Sequence, residues 1–374
     1  MAKWCNLDEE EDEPSRGYFW RVYITDSLHV ILPVLFAGAV TLYGFYPPLG
    51  AEEELECRHD YVKDEHVCYQ PCEHGSFFLP GMKECRSWLT CQDLEKDVHI
   101  GSTVDRGVVK LVQLADWKGH KVAVNSLTQD EYKADFHHGL EMLKAFQPHA
   151  RVTQFIGSCD DTFITEYHHF KSAVQLEQTL QIPQHLQINN LTTRFQLCLD
   201  YAEILASLHN SSIGKRVMCD SNDLQKTLEQ YLVTYDIRLI VNDLDALPEV
   251  KDGQGIKCGH RQLTGDFVAP EQLWPYPDVE FSDKDMSGYD EKIDIWKVPD
   301  ICLFFIGDKR GTDVLKFHLH KIHTKCKNSN PKLRPSADDL LEEYMRVRKY
   351  IGLHSYKELY HNLTKYMQYM SMLN

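Results

Sequence analysis

The sequence of 374 residues predicts an α+β fold with two lobes, a small β-rich lobe followed by a larger α-helical lobe, behind a single N-terminal transmembrane helix. Three observations support this prediction. An apolar stretch near the N-terminus is long enough to cross a bilayer as a helix. Residues 97–166 contain mainly short runs typical of strands, and residues 167–350 contain mainly runs with apolar residues at helical spacing. A cleft between two such lobes is a common ligand site.

The apolar stretch covers residues 28–46, LHVILPVLFAGAVTLYGFY, and follows a polar tail at residues 1–27. A cleaved signal peptide and a buried helix are the alternative interpretations. The tail is too long for a signal peptide, however, and no small-x-small cleavage site follows the stretch. Lys3, Arg16 and Arg21 precede it, and AEEELE follows it. The positive-inside rule therefore predicts a membrane-anchored type II protein, whose chain after residue 46 lies in the lumen or outside.

The cysteines agree with an oxidising compartment. Only Cys5 of the 12 cysteines precedes the apolar stretch, and the stem at residues 47–96 contains Cys57, Cys68, Cys72, Cys85 and Cys91. Because five is an odd number, we expect at least one stem cysteine to pair with the main domain. The sequence does not determine the pairing. Zinc binding is the alternative, since His66 and His74 flank two of these cysteines at ligand-like spacing.

Two further features bear on location and partners. The sequons at Asn190, Asn210 and Asn362 all follow the apolar stretch and are candidate glycosylation sites. The net charge of −16 argues against nucleic acid or an anionic membrane surface as the main partner.

The β-rich lobe is predicted to contain five strands and one helix. Strands are expected in 104–127, on both sides of the polar turn DWKGH, and in VTQFIG (152–157) and TFITEY (162–167). The helix is expected within 130–146, where apolar residues recur at helical spacing. In the larger lobe, helices are expected at 172–181, 192–209, 291–307 and 336–352, with a C-terminal helical extension at 351–374.

Five short motifs stand in a fixed order along residues 97–350. They are Asp220 in MCDSNDL after a long helix, Asp243-Leu244-Asp245 after a strand, Ala269-Pro270-Glu271, Asp294 and Trp296 in a buried helix, and Arg334-Pro335. Each motif is weak alone, but the ordered series is specific. The chain is similar to the protein kinases in this region, and the resemblance implies a bilobal protein-kinase-like fold with an N-lobe at 97–166 and a C-lobe at 167–350.

The resemblance also implies roles for individual residues. Asp220 is expected to accept the proton of the substrate hydroxyl, and Asp243 to hold the Mg²⁺ (or Mn²⁺) that bridges the ATP phosphates. Asn222 or Asp223 is expected to supply a second metal contact, with capping of the local turn as the alternative. The expected structural pair is Glu271 with Arg334. The expected ATP contacts, besides a lysine, are Gly107, Val112, Ala123 and Glu166.

Several residues depart from the kinase pattern. The histidine and arginine before the catalytic aspartate are Met218 and Cys219, and the metal-binding asparagine five residues after it is Gln225. The third residue of D-F-G is Asp245, and the glutamate of the N-lobe helix falls at Gly139. A pseudokinase would show losses of this kind.

The phosphate-binding lysine of kinases is replaced by Asn125 in VAVN. Residues two apart on a strand share a face, so Lys110 and Val112 point the same way, and Ala123 and Asn125 share the cleft face of the next strand. The ammonium of Lys110 can therefore occupy the place of the missing lysine, an arrangement that resembles the with-no-lysine kinases. An exposed Lys110 is the alternative. Its partner is expected to be Asp135 or Glu131, unless both lie on a solvated helix face.

The type II anchor, the relocated lysine, the M-C-D loop and a cysteine in the activation segment together resemble an atypical family of sugar kinases. That resemblance alone implies phosphorylation of the 6-hydroxyl of an O-linked mannose, within a GalNAc–GlcNAc–mannose trisaccharide on α-dystroglycan, at the endoplasmic reticulum membrane. One alternative is a lumenal pseudokinase that binds the glycan without catalysis, and another is a secretory-pathway kinase acting on serine or threonine. Thr264 is the only hydroxyl residue between Asp243 and Glu271, so we expect no phosphorylation switch in this segment.

Overall fold

The computed structural model describes residues 56–60, 63, 65–69, 71–251 and 254–352. The predictions for the tail at 1–27, the membrane span at 28–46, Asn362 and nearly all of the C-terminal extension lie outside these residues. Within the described ranges, no helix is both long enough and apolar enough to cross a membrane.

The described chain contains both strands and helices in the predicted order. The strands are β1 (Glu56–Asp60), β2 (Glu65–Tyr69), β3 (Ser76–Phe77), β4 (Arg86–Ser87), β5 (Val98–Arg106), β6 (Lys110–Trp117), β7 (His120–Leu127), β8 (Phe155–Cys159), β9 (Thr162–Glu166), β10 (Tyr231–Val233) and β11 (Leu239–Val241). The α-helices are α1 (Cys91–Asp97), α2 (Lys133–Ala145), α3 (Leu176–Leu180), α4 (Leu191–His209), α5 (Leu224–Glu229), α6 (Lys292–Ile306), α7 (Thr312–Cys326) and α8 (Ala337–Tyr350).

The N-lobe is built on a five-stranded antiparallel sheet with the strand order β5-β6-β7-β9-β8. Val112 pairs with Asn125 and Leu114 with Ala123, and paired residues lie on the same face of a sheet. Lys110 shares that face because it lies two residues before Val112. Helix α2 covers part of this face, where the Phe136 ring lies 5.2 Å from that of Phe163.

The opposite face of the sheet is covered by the stem. Three stem residues, Phe77, Leu79 and Leu89, pack in one buried cluster with Ala115, Trp117, Val122, Val124, Ile156 and Ile164 of the sheet. Leu89 donates its backbone N–H to Ile156 over 2.8 Å, so the chain passes close to Gly157. A Cβ at Gly157 would lie 2.6 Å from Leu89, which explains the glycine. The stem therefore completes the N-lobe core, and each large apolar side chain buried there contributes about 1.5–3 kcal/mol.

The C-lobe is organised around α4, whose side chains are mostly buried and which packs against α6, α8 and β11. Asn190 caps the start of α4 by accepting a hydrogen bond from the backbone N–H of Thr193. The short hairpin β10–β11 lies between this helical core and the N-lobe, and Val241 of β11 forms a bridge to Val152. The residues that follow α4 and β11, which carry the expected catalytic groups, are therefore anchored at the boundary of the two lobes.

Four disulfides occur in the described chain. Cys72 pairs with Cys85, Cys91 with Cys159, Cys198 with Cys302, and Cys219 with Cys258, while Cys326 is free and buried. The prediction that a stem cysteine pairs with the main domain is confirmed by Cys91–Cys159. The zinc alternative is wrong for Cys72, whose sulfur is in a disulfide, and the described residues contain no cluster of three or more His, Cys, Asp or Glu suited to a metal.

Candidate active site

Lys110 lies at the start of β6 and points into the cleft, on the face that the strand periodicity predicts. Its Nζ lies 2.5 Å from Oδ1 of Asp243 and 3.7 Å from Oδ2 of Asp245. Its side chain is only 13% exposed, so the alternative of a solvent-exposed lysine is wrong. The lysine therefore crosses from the N-lobe sheet to the segment that follows β11.

Burial and neighbouring charges act in opposite directions on the pKa values of Lys110 and Asp243. Burial disfavours the ammonium of Lys110, but the nearby carboxylates of Asp243 and Asp245 outweigh it and raise the pKa of the lysine. Burial likewise disfavours the carboxylate of Asp243, yet the Lys110 ammonium holds its pKa below the usual range. Burial and the charge of Asp243 raise the pKa of Asp245 to about 7. Asp243 is thus the carboxylate that stays ionised.

Gly139 lies directly against Asp245. A Cβ on Gly139 of α2 would lie 3.1 Å from Cα of Asp245, so the missing side chain gives the Asp243–Asp245 segment room against the helix. The expected partners of Lys110 are both exposed, Asp135 on α2 and Glu131 in the turn before it, so that expectation is wrong. The carboxylates beside the ammonium come instead from the residues after β11.

Asp220 lies in a loop whose preceding residues are hydrogen-bonded to two other parts of the C-lobe. The backbone N–H of Met218 donates to Oδ2 of Asp294 over 3.1 Å, and that of Cys219 donates to the carbonyl of Ala246 over 3.0 Å. The Cys219–Cys258 disulfide also joins this loop to the segment before Ala269. Oδ2 of Asp220 lies 2.9 Å from Nζ of Lys226, which the sequence interpretation did not single out.

The residues after Asp220 form a short helix, α5, that the sequence interpretation missed. Asp223 caps it by accepting from the backbone N–H of Lys226 over 2.8 Å, so the capping alternative is correct for this residue. Gln225 is exposed and donates to Glu229 on the same helix over 3.1 Å. The position five residues after Asp220 therefore points away from the cleft, and the alignment of Gln225 with the metal-binding asparagine is wrong.

The oxygen atoms of the cleft fit a hard divalent cation. Among the described residues, Oδ1 of Asn222 and Oε1 of Gln230 are buried amide oxygens without a hydrogen-bond partner. Gln230 contacts Asp220 through its side chain and Asp243 through its backbone, and Asn222 lies two residues after Asp220. Carboxylate and amide oxygens are the ligands that Mg²⁺ prefers. The placement of Asn222 is therefore compatible with its expected role.

The expected ATP contacts lie along the N-lobe side of the cleft. Gly107 lies in the β5–β6 turn, where its N–H donates to the Lys110 carbonyl over 2.9 Å. Val112 and Ala123 lie on the cleft face of β6 and β7. Glu166 ends β9, and its Oε1 accepts from the backbone N–H of Gln154 over 2.9 Å. All four residues lie in or next to strands of the N-lobe sheet, and their contact with ATP stays a prediction.

Asn125 is buried, but its contacts are local. Its Nδ2 donates to the Ala123 carbonyl over 3.3 Å and to Oγ1 of Thr165 over 3.4 Å. The asparagine thus ties β7 to β9, and the cation of the cleft comes from Lys110.

The scaffold of the C-lobe brings together the residues expected to pair. Arg334 donates to both carboxylate oxygens of Glu271, over 2.5 and 2.7 Å. The ring of Trp296 lies 5.0 Å from the Arg334 guanidinium, and Asp294 accepts from His209 as well as from the catalytic loop.

The remaining expected sites lie on the surface. Asn190 and Asn210 are exposed at the two ends of α4, and Asn210 donates to Asp338 over 2.8 Å. Thr264 is exposed as well. The glycosylation of both asparagines stays a prediction.

Comparison with known proteins identifies close relatives. No protein-family profile matches the chain. The chain is 50% identical over 296 residues to proteins from Macaca fascicularis and Homo sapiens that are both named Protein O-mannose kinase, which covers 77% of this chain and 84% of each relative. A Gallus gallus protein of the same name is 48% identical over 281 residues, which covers 74% of this chain and 79% of that protein.

Proposed function

The chain belongs to the protein O-mannose kinase family, and we propose that it transfers the γ-phosphoryl group of ATP to the 6-hydroxyl of an O-linked mannose. The kinase activity follows from family membership. The observation that carries the mechanism is the meeting of Lys110 with Asp243 in one cleft with Asp220. A pseudokinase that had lost its lysine would lack this assembly.

Phosphoryl transfer depends mainly on positioning and on the neutralisation of phosphate charge. A bound Mg²⁺ would supply most of that neutralisation, held by Asp243 and by an amide oxygen of the C-lobe. Lys110 contributes a second positive charge from the N-lobe side, and its contact with Asp243 keeps the ammonium in place. Lys226 contributes a third next to Asp220. These residues act on the phosphates, whatever hydroxyl receives the phosphoryl group.

Asp220 is the base in this proposal. Its Oδ2 is hydrogen-bonded to Lys226 and Gln230, and its side chain is 30% exposed, so a substrate hydroxyl can approach the carboxylate. The disulfide at the preceding residue and the bond from Met218 to Asp294 fix the loop, which limits the loss of orientation on substrate binding.

The substrate and location extend the proposal further. We propose the GalNAc–GlcNAc–mannose trisaccharide of α-dystroglycan as acceptor and the lumen of the endoplasmic reticulum as the place of reaction. The disulfides of the described chain and the exposed sequons support an oxidising, glycosylating compartment. The apolar stretch at 28–46 supports a membrane anchor.

The test uses the full chain with ATP, Mg²⁺ and the trisaccharide, and mass spectrometry to locate the phosphate. We expect phosphate on the mannose, and an Asp220→Asn variant that loses about a hundredfold to ten-thousandfold in rate while it still folds and binds nucleotide. No transfer by the natural chain would favour the pseudokinase. A parallel reaction with a serine- and threonine-containing peptide would reveal a protein kinase instead.

A further inference from the structure

Lys297 of α6 lies in the interior of the C-lobe, where 0% of its surface is exposed. Its Nζ donates to Oγ of Ser221 over 2.5 Å and lies 3.7 Å from Oδ1 of Asp294. Burial lowers the pKa of the lysine, and the nearby carboxylate of Asp294 opposes this effect. A buried lysine is costly unless its N–H groups are bonded, so these two contacts keep Lys297 in this place.

Ser221 connects this lysine to the loop that carries Asp220. A lysine ammonium has only donors, so the hydroxyl of Ser221 accepts from Lys297 and can donate its own hydrogen elsewhere. That hydrogen goes to the carbonyl of Met218 over 2.6 Å. The backbone N–H of Ser221 donates to the carbonyl of Cys219 over 2.7 Å, so the chain turns sharply here, and Asp220 lies within the turn.

Asp294 and Lys297 of α6 together fix both backbone groups of Met218. Asp294 accepts from its N–H over 3.1 Å, and Ser221, which is bonded to Lys297, donates to its carbonyl. Asp294 and Lys297 are three residues apart, so they lie on one face of the helix. That face therefore fixes the backbone two residues before Asp220 and one residue after it. The kinase resemblance predicts the aspartate but assigns no role to the lysine.

We propose that Lys297 is a positioning residue for the base: through Ser221 it holds the turn in which the carboxylate of Asp220 faces the substrate hydroxyl. The inference rests on the proposed function, in which Asp220 is that base. A displacement of about 1 Å, caused by a change away from the reacting atoms, can cost about a hundredfold in rate. A lysine that served stability alone would leave the kcat of the folded molecules unchanged when it is replaced, whereas loss of a positioning residue lowers it.

The experiment measures steady-state kinetics of the full chain with ATP, Mg²⁺ and the trisaccharide, for Lys297→Met, Ser221→Ala and the variant that carries both changes. Lys144→Met is the matched control, because Lys144 also donates to a serine hydroxyl, that of Ser158, over 2.9 Å, but in the N-lobe. We expect Lys297→Met and Ser221→Ala each to lower kcat by about tenfold to a hundredfold, with the KM for ATP changed by less than about twofold. The double variant should lose no more than the larger single loss, since both changes break one chain of hydrogen bonds. Lys144→Met should keep the natural rate.

A natural kcat in folded Lys297→Met would overturn the proposal, as would additive losses in the double variant or an equal loss in Lys144→Met. Thermal unfolding identifies a variant that fails to fold, and if Lys297→Met does so, a natural kcat in Ser221→Ala overturns the proposal instead. Amide hydrogen exchange of residues 218–221 provides a readout without substrate, since it should be faster in Lys297→Met than in Lys144→Met. If the natural chain phosphorylates no trisaccharide, the proposed function fails, and equal exchange in these two variants would still overturn the positioning role.

Discussion

The scaffold of the C-lobe and the phosphate end of the cleft differ in how they keep the kinase pattern. In the scaffold, Glu271 still meets Arg334 and Asp294 still holds the catalytic loop. In the cleft, Lys110 stands in for a lysine at residue 125, and Asp245 approaches the lysine where Gly139 has lost a glutamate. The C-lobe scaffold thus has the kinase residues at the kinase positions. The phosphate end of the cleft has charged groups of the same kind, but other positions in the chain supply them.

The difference follows from what each contact requires. A guanidinium and a carboxylate that form two parallel hydrogen bonds need two backbones at fixed separation and angle, and few other residues satisfy that geometry. A charge near a phosphate acts over several ångströms and can be delivered by a long side chain from a neighbouring strand. A charged residue of the cleft can therefore be supplied from another position, whereas replacing a member of the scaffold ion pair lowers stability. The following variants test that contrast in order of decreasing effect.

Arg334→Met should have the largest effect, on stability. It leaves the largely buried Glu271 carboxylate without its partner, and breaking a buried ion pair in this way costs about 3–5 kcal/mol. Denaturant unfolding measures the loss. Arg346→Met is the matched control, because Arg346 pairs with Glu343 at the surface, where such a pair contributes about 0–1 kcal/mol. Equal losses in the two variants would contradict the contrast.

Lys110→Met should lower kcat by about a hundredfold or more, because a charge-assisted contact that strengthens in the transition state is lost. Asn125→Ala should cost much less, since its side chain bonds only to β7 and β9. Adding Asn125→Lys to the Lys110→Met variant should restore part of the rate. Near-normal turnover of Lys110→Met would show that another cation serves the phosphates.

Gly139→Ala should destabilise the protein by about 1–3 kcal/mol through overpacking against Asp245. The sign is informative, because glycine to alanine inside a helix ordinarily stabilises by about 1 kcal/mol. Thermal unfolding gives the sign directly. A stabilised variant would mean that Asp245 yields easily and that the two positions are not coupled.

Lys226→Met should have the smallest effect, a loss of about tenfold in kcat, because its side chain is 44% exposed and water can partly take the place of its ammonium. Lys226→Arg should retain most of the rate. Steady-state kinetics of both variants beside Lys110→Met provide the test. A Lys226→Met loss as large as that of Lys110→Met would place the main phosphate cation on the C-lobe side.

Much of the fold follows from local sequence periodicity. Strands β6, β7, β8 and β9 and helices α2, α4, α6 and α8 have patterns of two or 3.6 residues, and these predict them. Helix α7 was missed although Leu315, Leu319, Ile322 and Cys326 are buried at helical spacing. The stem was missed as a core layer, because β3 and β4 are two-residue strands that depend on contacts with the distant sheet.

The candidate site was predictable where one strand determines the geometry. Strand parity places Lys110 beside Val112 and toward the cleft. Asp245 meets Lys110 from a distant part of the chain, and Lys226 meets Asp220 through the start of α5, so neither contact follows from a strand pattern. The short helix α5 also turns Gln225 toward solvent, so the spacing rule that pointed to this residue does not hold here. A fixed spacing predicts a residue only when no extra turn of helix lies within it.

The stem also has a consequence for folding during translation. The ribosome makes Phe77, Leu79 and Leu89 early, but the sheet face that they cover is complete only with Ile164. At about 5–20 residues per second, these side chains wait several seconds for their partners during translation. Cys91 waits equally for Cys159. Variants that weaken the outer layer of the N-lobe should therefore reduce the yield of finished protein, while the molecules that are completed work at their normal rate.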